Sequence, residues 1–154
     1  MSTVHVAYEA DGWGVGELVL EDGVVVWHEL PVPRRGEQVT DCHLPLVERI
    51  QAYFAGEDVS FDDVELDLEY DTAFFARCAQ ALRAVPRGEV VTYGELAALS
   101  GAPGAARAAG SFCARNRLGL FVPCHRVVSA GGLGSYGSLG LAYKKRMLEL
   151  EGAV

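Results

Sequence analysis

Pro123-Cys124-His125-Arg126-Val127 is the segment of this chain best equipped for covalent chemistry. A thiol beside an imidazole is a candidate thiolate, the strongest nucleophile a side chain offers near neutral pH. The dipeptide alone says little. Most cysteines are small buried hydrophobes, and adjacent side chains on a strand point to opposite faces. Its setting raises it, because the stretch upstream reads as a pair of DNA-binding helices and both Arg107 and Arg126 lie close by. The combination points to a nucleophile delivered to a nucleic acid.

The elements that must position such a nucleophile sit in a chain of 154 residues, half of them hydrophobic, which is enough for one ordinary domain or two small ones. No apolar run approaches a membrane span, and the first residues lack a signal-peptide pattern, so a reducing cytoplasmic home and no membrane partner are expected. Cys42, Cys78, Cys113 and Cys124 show no paired spacing and read as free thiols. The formal net charge of −8 is unevenly spread. Residues 1–71 carry 17 acidic and 3 basic side chains, whereas residues 72–154 carry 4 acidic and 10 basic. Phosphate binding depends on the contacting face and not on the whole-chain balance, so the second half remains a candidate DNA surface. The acidic half either orients the chain on a duplex by repulsion or confers solubility.

The pattern predicts strands at Val4–Tyr8, Gly12–Leu20 and Val24–Leu30, the last two joined by an Asp22-Gly23 turn. Pro31 to Gly36 reads as loop. A helix is predicted over Leu44–Ala55, stopped by Gly56, and a half-buried strand over Val64–Leu68. Residues 1–71 are thus expected to form a small α/β domain. In residues 72–154, Asp71 or Thr72 caps a helix running to Val85, and Pro86-Arg87-Gly88 ends it. Thr92 with Glu95 makes a capping box for a second helix. After the turn at Gly101–Gly104, a third helix spans Ala105–Asn116, and a last one covers Lys144–Glu149.

Helix, tight turn, helix is the helix-turn-helix arrangement. The second helix, Ala105-Ala106-Arg107-Ala108-Ala109-Gly110-Ser111, carries one long cation and almost no other bulk. Base reading in the major groove calls for several long polar side chains. A face of Ala and Gly suits close approach to a minor groove, with Arg107 entering the base stack. The same composition also suits an Ala-rich helix packed in a small core.

These residues carry a resemblance. Tyr93-Gly94-Glu95-Leu96-Ala97, Ala105-Ala106-Arg107-Ala108, Asn116, Pro123 to Val127, Tyr136-Gly137, Lys144 and Glu151-Gly152 resemble, in order and near-spacing, the O6-alkylguanine-DNA alkyltransferases. The match is close over residues 72–152 and looser before. It implies an α/β (α+β) fold: a ribonuclease-H-like N-terminal domain and a winged-helix-like, helix-turn-helix alkyltransferase domain. It implies irreversible, single-turnover transfer of a methyl or other alkyl group from O6-alkylguanine, and by extension O4-alkylthymine, in double-stranded DNA. It implies a monomer without cofactor or metal. Cys124 would be the acceptor, His125 its base acting through water, and Glu151 the group orienting that base. Asn116 would tie down the turn before the active-site strand. Arg107 would replace the extruded guanine, Tyr93 would help turn the nucleotide out, and Ala106 and Arg126 would line the DNA surface. Tyr136, Ser138, Val127 and Lys144 would border the base pocket, with backbone groups of Cys124 and Val127 reading the guanine edge.

Where many relatives have proline after the hinge asparagine, this chain has Arg117-Leu118-Gly119-Leu120-Phe121, so Gly119 is expected to loosen a pocket wall. Tyr136 to Lys144 is one residue longer than usual. His5, His28, Cys42 and His43 match no metal-ligand spacing and are expected to be structural or surface groups. Two other functions fit parts of the pattern. A non-catalytic binder of alkylated bases would lack the acceptor cysteine. A thiol-sensing DNA-binding regulator would show a base-reading helix.

Overall fold

Alternating apolar residues at Val6, Tyr8 and Ala10 face one way along the first strand, and the chain folds that face inward. The computed structural model describes residues 2–34, 39–41 and 43–154. It is a mixed α/β fold of two compact units: residues 1–67 with 117–121, and residues 68–116 with 122–154. This division differs from the boundary expected at 71, which keeps 117–121 in the second part. That segment's own partners, described below, lie in the first unit.

The first unit is an antiparallel meander of β1 (Thr3–Ala10), β2 (Gly14–Glu21) and β3 (Val24–Val32), with α1 (Pro45–Phe54). Asp22 and Gly23 both take positive φ, as the turn chemistry predicts. β3 runs on through Pro31, which the sequence reading assigned to a loop. Glu17 pairs with Glu29 and Val15 with Val32, so Leu30 and Pro31 share a bulge opposite Gly16. A proline is tolerated there because the bulge needs no ladder N–H. Gly16 itself is obligatory, since a Cβ would lie 2.5 Å from the Tyr8 ring. Arg35, Gly36 and Cys42 lie outside the described residues.

The strand expected over Val64–Leu68 is a single parallel bridge, Val25 to Leu66. Further along, the same edge of β3 is taken by Leu118, which bridges His28, and the His28 amide donates to the Arg117 carbonyl at 2.9 Å. Two segments divide one edge, so neither forms a full ladder.

In the second unit, α2 (Ala73–Arg83) starts at Thr72, whose hydroxyl accepts from the Phe75 amide. α3 (Tyr93–Leu99) has the expected reciprocal Thr92–Glu95 capping box. α4 (Ala106–Ala114) and α5 (Leu141–Leu150) follow, and a short parallel pair, β4 (Val91–Thr92) and β5 (Val127–Val128), brackets the helix pair. Leu82, Leu96, Ala109, Phe112, Met147 and Leu148 form the core. Ala109 and Phe112 point inward from α4, while Arg107 and Ser111 face solvent. The Ala-rich helix therefore packs on one face and presents its cation on another. α5 begins three residues before its expected start. No helix among the described residues is long and apolar enough to cross a membrane.

Candidate active site

Cys124, His125 and Arg126 form one 3₁₀ turn leading into β5, not a strand. The difference matters, because a tight turn lets neighbouring side chains work together, whereas a strand would send them to opposite faces. The Cys124 amide donates to the Val122 carbonyl at 2.8 Å, and the Val127 amide closes the turn onto the Cys124 carbonyl. Of the backbone groups of Cys124 and Val127 expected to read the guanine edge, both amides are engaged in these turn bonds.

Asn116 follows α4 and reaches back to the turn. Its side-chain amide donates to the Val122 carbonyl at 2.8 Å and to the Cys124 sulfur at 3.2 Å. Asn116 is thus hydrogen-bonded both to the turn's backbone and to the Cys124 sulfur. Cys124 is not a resting thiolate. Burial pushes its thiol well above the usual range, and the neighbouring Cys113 pushes the same way, against the opposing pull of Asn116 and Lys144. A thiol held protonated needs a base that acts during the reaction.

His125 is the residue expected to serve as that base. It is fully buried, and its Nε2 lies 2.7 Å from Glu151 Oε2. Burial lowers the imidazole pKa despite the Glu151 carboxylate, with Arg126 and Lys144 adding to the drop. Burial alone would raise the Glu151 carboxyl, but hydrogen bonds from His125 and Arg126 hold it far below the usual range. Glu151 is therefore ionised and only accepts, so His125 donates through Nε2 and its lone pair lies on Nδ1. Nδ1 is buried and has no hydrogen-bond partner among the described residues.

Arg126 was expected on the DNA surface. Instead its Nε and Nη2 each donate to Glu151 at 2.9 Å, and Nη1 donates to the Val85 carbonyl at 2.8 Å. Its side chain is only 13% exposed. The guanidinium is a clamp on the carboxylate that orients His125. Nothing in the sequence pattern distinguishes these two roles for an arginine beside a Cys-His pair.

Of the remaining expected residues, Lys144 stands beside Tyr93. Lys144 is fully buried on α5, donates to the Ser135 carbonyl at 3.1 Å and stands 5.7 Å over the Tyr93 ring. Burial lowers its pKa, and the charges of Cys113 and Cys124 oppose that. Gly134, at φ +82°, gives Tyr93 its room, since a Cβ would meet the phenol oxygen at 2.9 Å. Tyr136 donates to the Met147 sulfur at 3.8 Å, and burial beside Cys124 keeps its phenol protonated. Ser138 is exposed on the 3₁₀ turn Gly137–Leu139. Arg107 and Ala106 open α4, the former exposed and the latter half-buried. Among the described residues no three His, Cys, Asp or Glu side chains could hold a metal.

Gly119 was expected to loosen a pocket wall. It lies in the first unit, and a Cβ there would meet Leu30 Cγ at 3.3 Å. Its carbonyl is 2.6 Å from His28 Nδ1, and His28 Nε2 is 2.6 Å from the Tyr8 hydroxyl. The carbonyl only accepts, so Nδ1 donates and Nε2 accepts from Tyr8. This buried relay anchors 117–121 within the first unit. The sequence signal for it was the period-two placement of His28 on the same face as the buried Leu30.

A family model described as the 6-O-methylguanine DNA methyltransferase DNA-binding domain matches residues 73–153. The methylated-DNA–protein-cysteine methyltransferase of Mycobacterium bovis is 50% identical over 106 residues, which is 68% of this chain and 62% of that protein. The match thus spans less than two thirds of that curated relative. The crystal structure of the Mycobacterium tuberculosis O6-methylguanine methyltransferase superposes over 99% of this chain and 94% of its own, with a TM-score of 0.81 and 33% identity. A second structure from that organism, in complex with DNA, covers 96% of this chain and 91% of its own, with a TM-score of 0.76 and 38% identity.

Proposed function

Because the chain belongs to the O6-methylguanine DNA methyltransferase family, we propose that it repairs DNA by transferring an alkyl group from O6-alkylguanine to Cys124, once per molecule. The observation that carries the reading is the buried His125–Glu151 pair, whose imidazole adjoins Cys124 in the chain and whose buried Nδ1 has no hydrogen-bond partner among the described residues. O4-alkylthymine is a second substrate on the same chemistry.

The thiol proton passes to His125 Nδ1, through a water in that otherwise unpartnered position, and the imidazolium is stabilised by the ionised Glu151. The sulfur then forms a bond to the alkyl carbon as the carbon–O6 bond breaks, and guanine leaves with the electron pair. Lys144 and the hydroxyls of Tyr93 and Tyr136 are the donors available to stabilise it. A thioether has no easy reversal, which makes the protein stoichiometric.

The target carbon lies inside a stacked duplex, so the nucleotide must be extruded, at a cost of a few kcal/mol. α3 and α4 have the helix-turn-helix order, and the exposed Arg107 at the start of α4 is the candidate to fill the vacated stack. Small residues Ala106 and Gly110 allow α4 a close approach to a minor groove. The same reading makes the meander with α1 ribonuclease-H-like and the second unit winged-helix-like. It also has the protein working as a monomer on double-stranded DNA in a reducing cytoplasm.

The test is to incubate the protein with a duplex containing O6-methylguanine and weigh it. The reading requires a gain of one methyl group on Cys124, absent in Cys124→Ser. Lesion binding without mass gain would sink it in favour of a non-catalytic alkyl-base binder.

A further inference from the structure

Glu151, the carboxylate behind His125, is the C-cap of α5. A helix end leaves its last backbone carbonyls without partners inside the helix. The Ala153 amide donates to the Leu148 carbonyl at 2.9 Å, and the Gly152 amide donates to that of Glu149 at 3.0 Å. Gly152 takes φ +78° to allow it. The Leu150 carbonyl, next in line, is met from another element: Arg87 Nη2 donates to it at 3.1 Å.

Arg87 lies between α2 and β4, on a turn over residues 86–89 that the Glu89 amide closes onto the Pro86 carbonyl at 3.2 Å. Gly88 on that turn, at φ +88°, lies against Glu151, whose carbonyl a Cβ would meet at 3.6 Å. Just before the turn, the Val85 carbonyl accepts from Arg126 Nη1, and Arg126 holds the carboxylate with its other two nitrogens. Residues 85–88 therefore secure Glu151 twice, at its main chain through Arg87 and at its side chain through Arg126. α5 has no basic residue in its own last turn, so Arg87 also brings the cation that the negative end of a helix favours.

Building on Cys124 as the alkyl acceptor and His125 as its base, we propose that Arg87 is a positioning residue for the transfer, holding the end of α5 so that the Glu151 carboxylate meets His125 Nε2. Those two groups lie 2.7 Å apart, a hydrogen bond that a shift of about an ångström would break. A helix end without its partner frays, and fraying here carries the orienting carboxylate away from the imidazole.

The probe is free O6-benzylguanine, so that DNA binding does not enter. Each molecule reacts once, so a time course of intact mass gives both an amplitude and a rate constant. The amplitude is the share of protein able to react, and the rate constant at saturating probe is that of the transfer. A merely structural role lowers the amplitude or the melting temperature and leaves the rate constant alone. Arg87→Met is expected to lower the rate constant about tenfold or more, with the half-saturating probe concentration unchanged. Arg87→Gln, which is also too short to reach the carbonyl, gives the same readout if the methionine variant does not fold. Arg87→Lys should restore most of the rate, since a lysine can also donate to a carbonyl. In a Glu151→Gln background, Arg87→Met should cost less than about twofold, because the carboxylate it positions is gone. An unchanged rate constant, or the same fold loss with and without Glu151, would overturn the proposal while the parent protein still gains the benzyl group. A parent protein that gains no benzyl mass would overturn the transfer reading and the role of Arg87 with it.

Discussion

Replacing Arg126 with leucine separates an internal clamp from a DNA contact. The guanidinium makes two hydrogen bonds to Glu151 and one to the Val85 carbonyl, all at 2.8–2.9 Å, around a carboxylate that is itself fully buried. Leucine fills part of the volume but strands that carboxylate with only His125 as partner. Removing one member of a buried pair costs about 3–5 kcal/mol, and little screening reduces it at this depth. With a urea dependence of about 2 kcal/mol per molar, the unfolding midpoint should drop by roughly 2 M. Adding Glu151→Gln removes the stranded charge and should recover part of the loss, giving a coupling energy of about 1–3 kcal/mol in the double-variant cycle. Methyl transfer by the folded fraction should also slow, because Glu151 loses the clamp that fixes its carboxylate against His125. A midpoint shift below about 0.5 M, together with weaker duplex binding whose salt dependence falls by about one counterion, would refute this reasoning and return Arg126 to the phosphate surface.

His28 sets an acid limit on the first unit. Burial lowers its pKa to about 4, despite its hydrogen bond to Gly119 and the charge of Glu29. The unfolded chain therefore binds a proton that the folded chain refuses between about pH 6.5 and 4, and stability falls by about 3 kcal/mol as pH drops through that window. Urea midpoints measured across it should show this component in the parent protein and lose it in His28→Gln. Gly134→Ala forces a methyl against the Tyr93 hydroxyl at a positive φ, and should lower stability by about 1–3 kcal/mol by thermal melting. An unchanged melting temperature would mean that Tyr93 moves freely. Arg107→Ala should slow repair of duplex DNA far more than reaction with free O6-benzylguanine, since only the duplex needs an extruded nucleotide. Equal losses on both substrates would remove Arg107 from that role.

Local rules in the chain set much of this architecture. The Asp22-Gly23 turn, the Thr72 cap and the Thr92–Glu95 capping box depend on a few neighbouring residues, so each is readable without knowledge of the fold. The nucleophile and its neighbouring base were legible for the same reason, because Cys124 and His125 adjoin in sequence, and a family resemblance supplied Glu151 and Asn116. Pairing across the chain was not legible. Val64–Leu68 alternates as a strand should, but the 117–118 segment competes for the same β3 edge, which no local pattern reveals. Arg126 looked like a phosphate contact because an arginine near an active site carries the same letter whether it faces solvent or a buried carboxylate. The state of Cys124 was decided by burial and by Cys113, eleven positions away. The sequence by itself thus determined which groups can react. Only the tertiary structure decided which are ionised, because desolvation and charge pairing depend on what the completed fold brings within a few ångströms.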